Sequence, residues 1–194
     1  MRLTIGEARF RRLRWLQVLA IAGAFLVGAC SSGGLGEDED TTSEGDLQLY
    51  ESEEHGFSLR YPDGWTLRNL QDSPADVGLT ADQAAADGFS ENVNVLVQQV
   101  PEGLTLGRYT QASKQELETL QGFQLGSEGS TSLGGEPATW LEHEAVQQGA
   151  LLQFWQVWTV RGPKAYVVTY TGQGEGFDAF RMSAESIVRS FEFG

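Results

Sequence analysis

The histidines are the side chains whose neighbours most resemble a metal or acid–base site. His143 lies between Glu142 and Glu144, and imidazole and carboxylate groups are common ligands of transition metals. Alternate side chains of a β-strand point to opposite faces, however, and this segment has a strand pattern. His143 would then point away from both glutamates unless the strand bulged. We therefore expect no metal site at this position.

The second histidine, His55, follows Glu53 and Glu54 and precedes Gly56. This segment is a polar turn ahead of a predicted strand, and it offers too few ligands to hold a metal ion. We interpret it as a solvated turn. The sequence also contains no arrangement that suggests a Ser-His-Asp triad. We expect neither catalytic residues nor a cofactor, and we expect that the protein is not an enzyme.

A glycine-rich segment at 172–176 precedes a predicted helix and could be compared with a phosphate-binding loop. Such loops present backbone N–H groups to the anion, usually together with a lysine or arginine. Here Glu175 lies within the segment and no cation is near. We interpret the segment as a turn that leads into the helix.

Cys30 is the single cysteine of the chain, and its position indicates a modification. Five arginines precede a run of 14 residues, Leu16 to Ala29, which is apolar except for Gln17 and ends in Val-Gly-Ala. This order resembles the lipobox of bacterial lipoproteins. The resemblance implies that a signal peptide, residues 1–29, is cut before Cys30, whose sulfur receives a diacylglycerol chain. Fourteen apolar residues is normal for the hydrophobic region of a signal peptide and short of the roughly 20 needed to span a bilayer.

The charge of the remaining 165 residues excludes some kinds of partner. Residues 1–29 hold 5 of the 13 basic and 1 of the 27 acidic residues, so 8 basic and 26 acidic residues remain, a formal net charge of −18. Nucleic-acid binding depends on lysine and arginine contacts to phosphates, so we expect no nucleic-acid partner. Attachment to anionic headgroups by charge is disfavoured for the same reason, so membrane contact would come through the lipid on Cys30.

Composition divides the mature chain into a tether and a domain. Residues 30–46 contain the cysteine and then small and acidic residues with one apolar side chain, Leu35. Such a segment buries too little surface to offset its ordering entropy, so we expect a flexible acidic tether. Residues 47–194 are expected to form one domain with a core but without disulfides.

The pattern of the domain predicts many short strands and two helices. Short glycine-containing turns at 134–135, 148–149 and 162–163 indicate antiparallel pairing. The helices are predicted from Leu106 to Leu120, with Thr105 as N-cap, and from Phe177 to Val188. The strands are predicted at 47–51, 56–61, from Trp65, 77–80, 92–100, 123–127, 138–146, 151–161 and 165–171.

The strand at 151–161 is apolar at both odd and even positions. Trp155 and Val157 would lie on one face, and Phe154 and Trp158 on the other. A strand of this kind must be covered on both faces. We therefore predict the α+β class, with an antiparallel sheet flanked by helices on both faces.

Several segments together resemble the PsbP-like family. Residues 56–65 read Gly-Phe-Ser-Leu-Arg-Tyr-Pro-Asp-Gly-Trp, an alternating strand, Tyr-Pro, a turn and tryptophan. The strand at 92–95, the first helix, the strand at 165–170 and the ending Ser-Phe-Glu-Phe at 190–193 follow in the order that is typical of these domains. The resemblance covers about residues 47–193, and the same fold occurs in envelope lipoproteins similar to DcrB and LpqN.

The PsbP-like resemblance implies a non-enzymatic α/β/α sandwich. The best-known members are extrinsic subunits of photosystem II, which dock on its lumenal side. No binding residue can be transferred to this chain, which lacks basic docking lysines.

The leading hypothesis is a lipid-anchored accessory or binding module. It would lie on the extracytoplasmic side of the cell membrane and act through contacts with an unidentified envelope protein. An alternative is an envelope lipoprotein that binds a hydrophobic small molecule or lipid. The distinguishing feature would be a cavity lined by Trp140, Trp155 or Trp158. Without such a cavity, these residues would pack in the core, which is commoner for tryptophans on strands. An unrecognised hydrolase is a third hypothesis.

Replacing Cys30 with serine tests the anchor. Serine has no thiolate to accept the lipid, so the Cys30→Ser protein should lack the mass of the diacylglycerol chain and be lost from the membrane fraction. Sedimentation of membranes and the intact mass of the protein measure both effects. A Ser31→Ala variant, which keeps the thiol, should behave as the wild type. Sedimentation of Cys30→Ser at the wild-type level with unchanged mass would contradict lipidation.

Overall fold

The computed structural model describes residues 47–68, 73–85 and 88–194. The predicted signal peptide 1–29, the tether 30–46 and Cys30 lie outside the described residues. The domain is a mixed α+β fold with antiparallel sheets and two helices in the described part. The strands are β1 Gln48–Ser52, β2 Phe57–Tyr61, β3 Trp65–Leu67, β4 Val77–Ala81, β5 Asn92–Gln99, β6 Gln124–Leu133, β7 Glu136–Gln147, β8 Ala150–Arg161, β9 Lys164–Gly172 and β10 Glu192–Phe193. The helices are α1 Leu106–Leu117 and α2 Gly174–Arg189.

Seven strands form the larger sheet, in the order β3-β4-β5-β9-β8-β7-β6. The turns predicted between β6 and β7, between β7 and β8, and between β8 and β9 are confirmed, and the strands they join pair antiparallel. Gly134 and Gly135 have φ of 57° and 82°, so they form the type I′ turn that suits a two-residue hairpin.

Strands β8 and β9 lie at the centre of the core and are buried on both faces. Val157 belongs to one cluster of buried side chains, and its neighbour Trp158 belongs to another. The first cluster includes Phe177, Ala184, Ile187 and Val188 of α2, and the second includes Tyr109 and Leu117 of α1. The predicted two-sided burial of β8 is confirmed.

Strands β1, β2 and β10 form a second, three-stranded sheet, which the sequence pattern did not separate from the first. β10 follows α2 and pairs with β2 over Ser58 and Phe57. The inward side chains of β2 join the first cluster, and the ring of Phe57 stacks on Phe191 with 5.0 Å between centroids. The C-terminal segment thus closes the core against the N-terminal strands.

The two leucines at the start of β1 do not form its inward face. Leu47 and Leu49 are exposed, whereas Tyr50 and Ser52 face inward. The ring of Tyr50 packs 6.0 Å from that of Phe57, and its hydroxyl donates to the backbone carbonyl of Asp76. Burying one aromatic ring removes more apolar surface from water than burying a leucine, so Tyr50 determines which face turns inward.

Both helices differ from their predicted ranges: α1 is three residues shorter, and α2 is three residues longer at its start and one at its end. The Thr105 hydroxyl accepts the N–H of Arg108 at 3.4 Å, so the predicted N-cap of α1 is confirmed. α1 ends at Leu117 rather than Leu120. α2 begins at Gly174, within the glycine-rich segment, rather than at Phe177.

Strand β6 is twice as long as predicted and forms one edge of the larger sheet. The pattern predicted a strand ending at 127, but the strand runs to Leu133. Its side chains are mostly exposed, and its pairing with β7 shifts between Leu125 and Glu128. Because one side of an edge strand is open to solvent, β6 carries glycine and serine rather than alternating apolar residues.

Truncation of Trp65 tests the core. Trp65 is 3 % exposed, and its ring meets Phe180 edge-to-face at 6.3 Å between centroids. Trp65→Ala should lower the free energy of unfolding by about 3–5 kcal/mol, measured by urea denaturation. Leu67→Ala is the matched control on the same strand. Because Leu67 is exposed, this substitution should lower the free energy of unfolding by about 0.5 kcal/mol or less. Equal effects of the two substitutions would contradict this packing.

Candidate functional site

His143 lies in the core between two phenyl rings. Its imidazole stacks on Phe154 at 4.8 Å between centroids and lies 5.5 Å from the ring of Phe123. The predicted alternation holds, because Glu142 turns to the opposite face and pairs with Arg181 at 2.7 Å. Burial lowers the pKa of His143 to about 4. The ring is therefore neutral at pH 7 and serves as a packed aromatic residue.

His55 lies in the predicted turn, where Glu53 and Glu54 are exposed, but its own side chain is not solvated, so that part of the prediction is wrong. Its side chain is only 18 % exposed, and Nε2 contacts the carboxylate of Asp76. Asp76 also accepts the backbone N–H of Val97 at 2.6 Å, and burial raises the pKa of this carboxyl. The carbonyl of His55 accepts the hydroxyl of Tyr166 at 2.9 Å. These contacts tie the β1–β2 turn to the larger sheet.

The glycine-rich segment leads into α2 as predicted, and the start of that helix contacts a carboxylate of the protein itself. The N-cap Gln173 makes no side-chain capping bond. Its backbone N–H instead approaches Oε1 of the fully buried Glu91 at 3.5 Å. A Cβ atom on Gly176 would overlap with this oxygen. Glycine is thus required for Glu91 to reach the positive end of the helix.

The four tryptophans of the domain have different surroundings. Trp65 and Trp158 are core residues, and Nε1 of Trp158 donates to the Thr110 hydroxyl at 2.9 Å. Trp140 and Trp155 face α2 and line a groove. Core packing therefore describes three of the four, because Trp155 is also buried in the cluster that contains α2 residues, and Trp140 is partly buried against it.

The candidate site is a groove beside α2. Two adjoining cavities of about 270 Å³ and 540 Å³ are bordered by the same four residues, Thr131 and Ser132 of β6 and Val188 and Arg189 of α2. We call these two cavities together the α2–β6 groove. The first is floored by Trp140, Trp155 and Val157, and the second reaches the Gly134–Gly135 turn, Phe191 and Phe193.

A glycine of β6 allows the indole of Trp140 to form the floor of the groove. A Cβ atom on Gly129 would lie 2.7 Å from Nε1 of Trp140. This separation is too short for two heavy atoms, so a larger residue would push the indole away. The ring therefore lies across the β6 backbone, and the groove depends on a residue that has no side chain.

Arg181 fastens α2 over the sheet at the first cavity. Its guanidinium lies 4.2 Å from the centroid of the Trp155 ring, a cation–π contact. The same group pairs with Glu142 of β7 at 2.7 Å and with Glu185 of α2 at 3.0 Å. Arg189 pairs with the other oxygen of Glu185 at 2.7 Å. Two cations and two carboxylates neutralise one another here.

A further cavity of about 280 Å³ lies at the start of α2, where β6 bulges. Its walls include Phe177, Leu125, Gly126, Glu142 and Glu144. The Arg181–Glu142 ion pair separates this cavity from the α2–β6 groove. This ion pair therefore divides the open space along α2 into the α2–β6 groove and the further cavity.

Within residues 47–68, 73–85 and 88–194, no three His, Cys, Asp or Glu side chains converge as metal ligands would. Neither helix of the described chain has the length and apolar character needed to cross a bilayer.

Comparison with known proteins identifies the family. The sequence profile of PsbP-like proteins matches residues 36–193. The chain belongs to the PsbP-like family. No curated protein sequence matches it significantly.

Among solved structures, the PsbP-like domain is similar to cyanobacterial PsbP (CyanoP) from Synechocystis, with 16 % identity over 87 % of this chain and 99 % of that one, and a TM-score of 0.59. It is also similar to LpqN of Mycobacterium tuberculosis, described as involved in cell envelope biogenesis. There the identity is 18 % over 78 % of this chain and 86 % of that one, and the TM-score is 0.56. A Pseudomonas aeruginosa protein of unknown function matches with 19 % identity over 73 % of this chain and 92 % of that one, at a TM-score of 0.46.

The burial of His143 generates a pH prediction. Its pKa is about 4 in the folded protein and near 6.5 in the unfolded chain, so the unfolded chain binds more protons between these values. This contribution to stability is complete above pH 6.5 and is lost as the pH falls towards 4. Between pH 7 and pH 4.5, the free energy of unfolding measured with urea should fall by roughly 2–3 kcal/mol more for the wild type than for His143→Phe. Identical pH dependence of the two proteins would contradict the assignment.

Proposed function

We propose that this PsbP-like protein is a lipid-anchored, extracytoplasmic binding module that acts through contacts with another envelope protein. The lipid on Cys30 would hold it to the outer side of the cell membrane, and residues 30–46 would form the tether. The lipobox pattern supports this location. The charge of −18 gives the domain no electrostatic attachment to anionic lipid, so the lipid on Cys30 would provide the attachment. Nucleic acid is not a partner in this proposal.

We also propose that the domain is an α/β/α sandwich with its helices on opposite faces of the larger sheet. Successive residues of β8, Val157 and Trp158, point to opposite faces. Val157 shares a cluster with α2 residues, and Trp158 shares one with α1 residues. This layering would leave β6 and β7 partly uncovered beside α2, which is where the groove lies.

The observation that carries the proposed function is the shape of the α2–β6 groove. It is open along its length, with a helix on one side and the edge strand β6 on the other. Grooves between a helix and a free strand edge suit an extended polypeptide segment. Trp140 supplies an aromatic surface of the kind that is enriched at protein interfaces.

A non-enzymatic role is part of the proposal. Both histidines are engaged in structural contacts, His55 with Asp76 and His143 with Phe154. The charged groups of the groove also pair with one another rather than facing an open pocket. The description of LpqN as an envelope biogenesis protein is consistent with a role at the cell envelope.

A second candidate is binding of a hydrophobic small molecule or lipid, favoured by the indoles of Trp140 and Trp155 in one cavity. That cavity has a volume of about 270 Å³, near the lower end of the roughly 300–1,000 Å³ usual for ligand pockets. It is also open, and Arg181 already covers the face of Trp155. A protein segment therefore fits this site better than an enclosed apolar ligand.

Photo-crosslinking distinguishes these candidates. A photoreactive amino acid in place of Thr131, in the full chain on native membranes, should form an adduct with another protein, identified by mass spectrometry. The same residue at the exposed Arg108 of α1 is the control and should give no such adduct. Adducts that contain lipid instead would favour the second candidate. Equal yields at both positions would contradict a role for the groove.

A further inference from the structure

Strand β6 exposes a short, regular run of backbone hydrogen-bonding groups along the α2–β6 groove. The bulge between Leu125 and Glu128 interrupts its first half. From Glu128 to Leu133 the register with β7 is uninterrupted, and the opposite side of this stretch has no neighbouring strand in the described sheet. Free edges of this kind are templates for pairing with another chain.

The type I′ turn determines which residues point their backbone groups outward. In a two-residue hairpin the residue before the turn, Leu133, exchanges backbone bonds with its partner Glu136. Bonded and non-bonded pairs then alternate along the strands. Thr131 bonds to β7, whereas the N–H and C=O groups of Ser130 and Ser132 face away from it.

The proline opposite Ser132 agrees with this assignment. Pro137 is the register partner of Ser132, and proline has no N–H to donate. A non-bonded pair at this position requires no N–H toward β6, so proline is accommodated without loss of a ladder bond to β6.

Side-chain direction connects the outward edge to the groove. Leu133 belongs to the cluster that contains α2 residues, and Thr131 lies on the same face and borders the groove. A strand added along Ser130 and Ser132 would therefore turn alternate side chains toward Trp140 and the flank of α2.

Charge indicates the chemistry of the added strand. Arg181, Arg189, Glu142 and Glu185 neutralise one another, so the groove requires no counter-charge from its occupant. The mature chain as a whole carries a formal charge of −18, which repels acidic segments and disfavours a second copy of the same protein.

We propose that β6 binds its partner by strand addition: an extended segment without acidic residues, from another envelope protein, pairs with the backbone of Ser130 and Ser132. This inference rests on the proposed function and adds the mode of binding. Affinity would come from main-chain hydrogen bonds, and selectivity from side chains placed against Trp140 and α2.

The test removes one outward N–H without altering the side-chain surface of the groove. The full chain with the photoreactive residue at position 131 is combined with Ser130→Pro or, as the matched control, Ser130→Ala. Proline deletes the N–H and is tolerated on edge strands where that group faces solvent. The adduct yield on native membranes should fall about tenfold for Ser130→Pro and stay near the wild-type value for Ser130→Ala.

Thermal unfolding of both variants shows whether the fold survives. If Ser130→Pro unfolds early, a backbone ester at position 130 deletes the same N–H without the ring and should reduce the adduct equally. Equal adduct yields with and without the N–H at residue 130 would overturn strand addition but leave the groove as the contact site. Absence of a protein adduct from position 131 in the otherwise wild-type chain would overturn the proposed function and this inference together.

Discussion

The central strand pair β8–β9 imposes the constraint on which the rest of the domain depends. Both strands carry large apolar side chains on both faces, so neither face can be left to water. One buried cluster joins side chains of these strands with α1, and another joins them with α2, β2 and Phe191 of the C-terminal segment. The outer strand β6 contributes only Leu133 to the cluster that contains α2 residues, and its other side chains are mostly exposed.

The incomplete cover beside α2 creates the candidate site. α2 is fixed over β8 and β9 by apolar packing and by Arg181, which joins Trp155, Glu142 and Glu185. A guanidinium stacked on an indole and paired with two carboxylates holds one geometry, since its flat shape and fixed donors restrict the alternatives. These contacts join α2 to β7 and β8 beside the α2–β6 groove.

Much of the fold and two residues of the candidate site, Trp140 and Trp155, could be predicted from the sequence, but the rest of the site could not. Apolar residues marked β2, β5, β8 and β9, alternating in β2 and β5 and on both faces in β8, and the glycine turns marked the hairpins, because these signals come from burial and from positive φ. The groove wall formed by β6 was missed, since an exposed edge rich in glycine and serine has no apolar period. The environment of His55 was missed too, because its partner Asp76 is distant in sequence and meets it only through the packing of two sheets.

The central claim is that the outward edge of β6 beside α2 is the contact surface for an extended segment of another protein. Hydrogen–deuterium exchange of the full chain tests it most directly, by comparing the protein on native membranes with the purified protein. The account predicts slower exchange across residues 128–133 on membranes and faster exchange after purification, with little change in α1. Unchanged exchange across residues 128–133, with protection elsewhere on the domain, would contradict it.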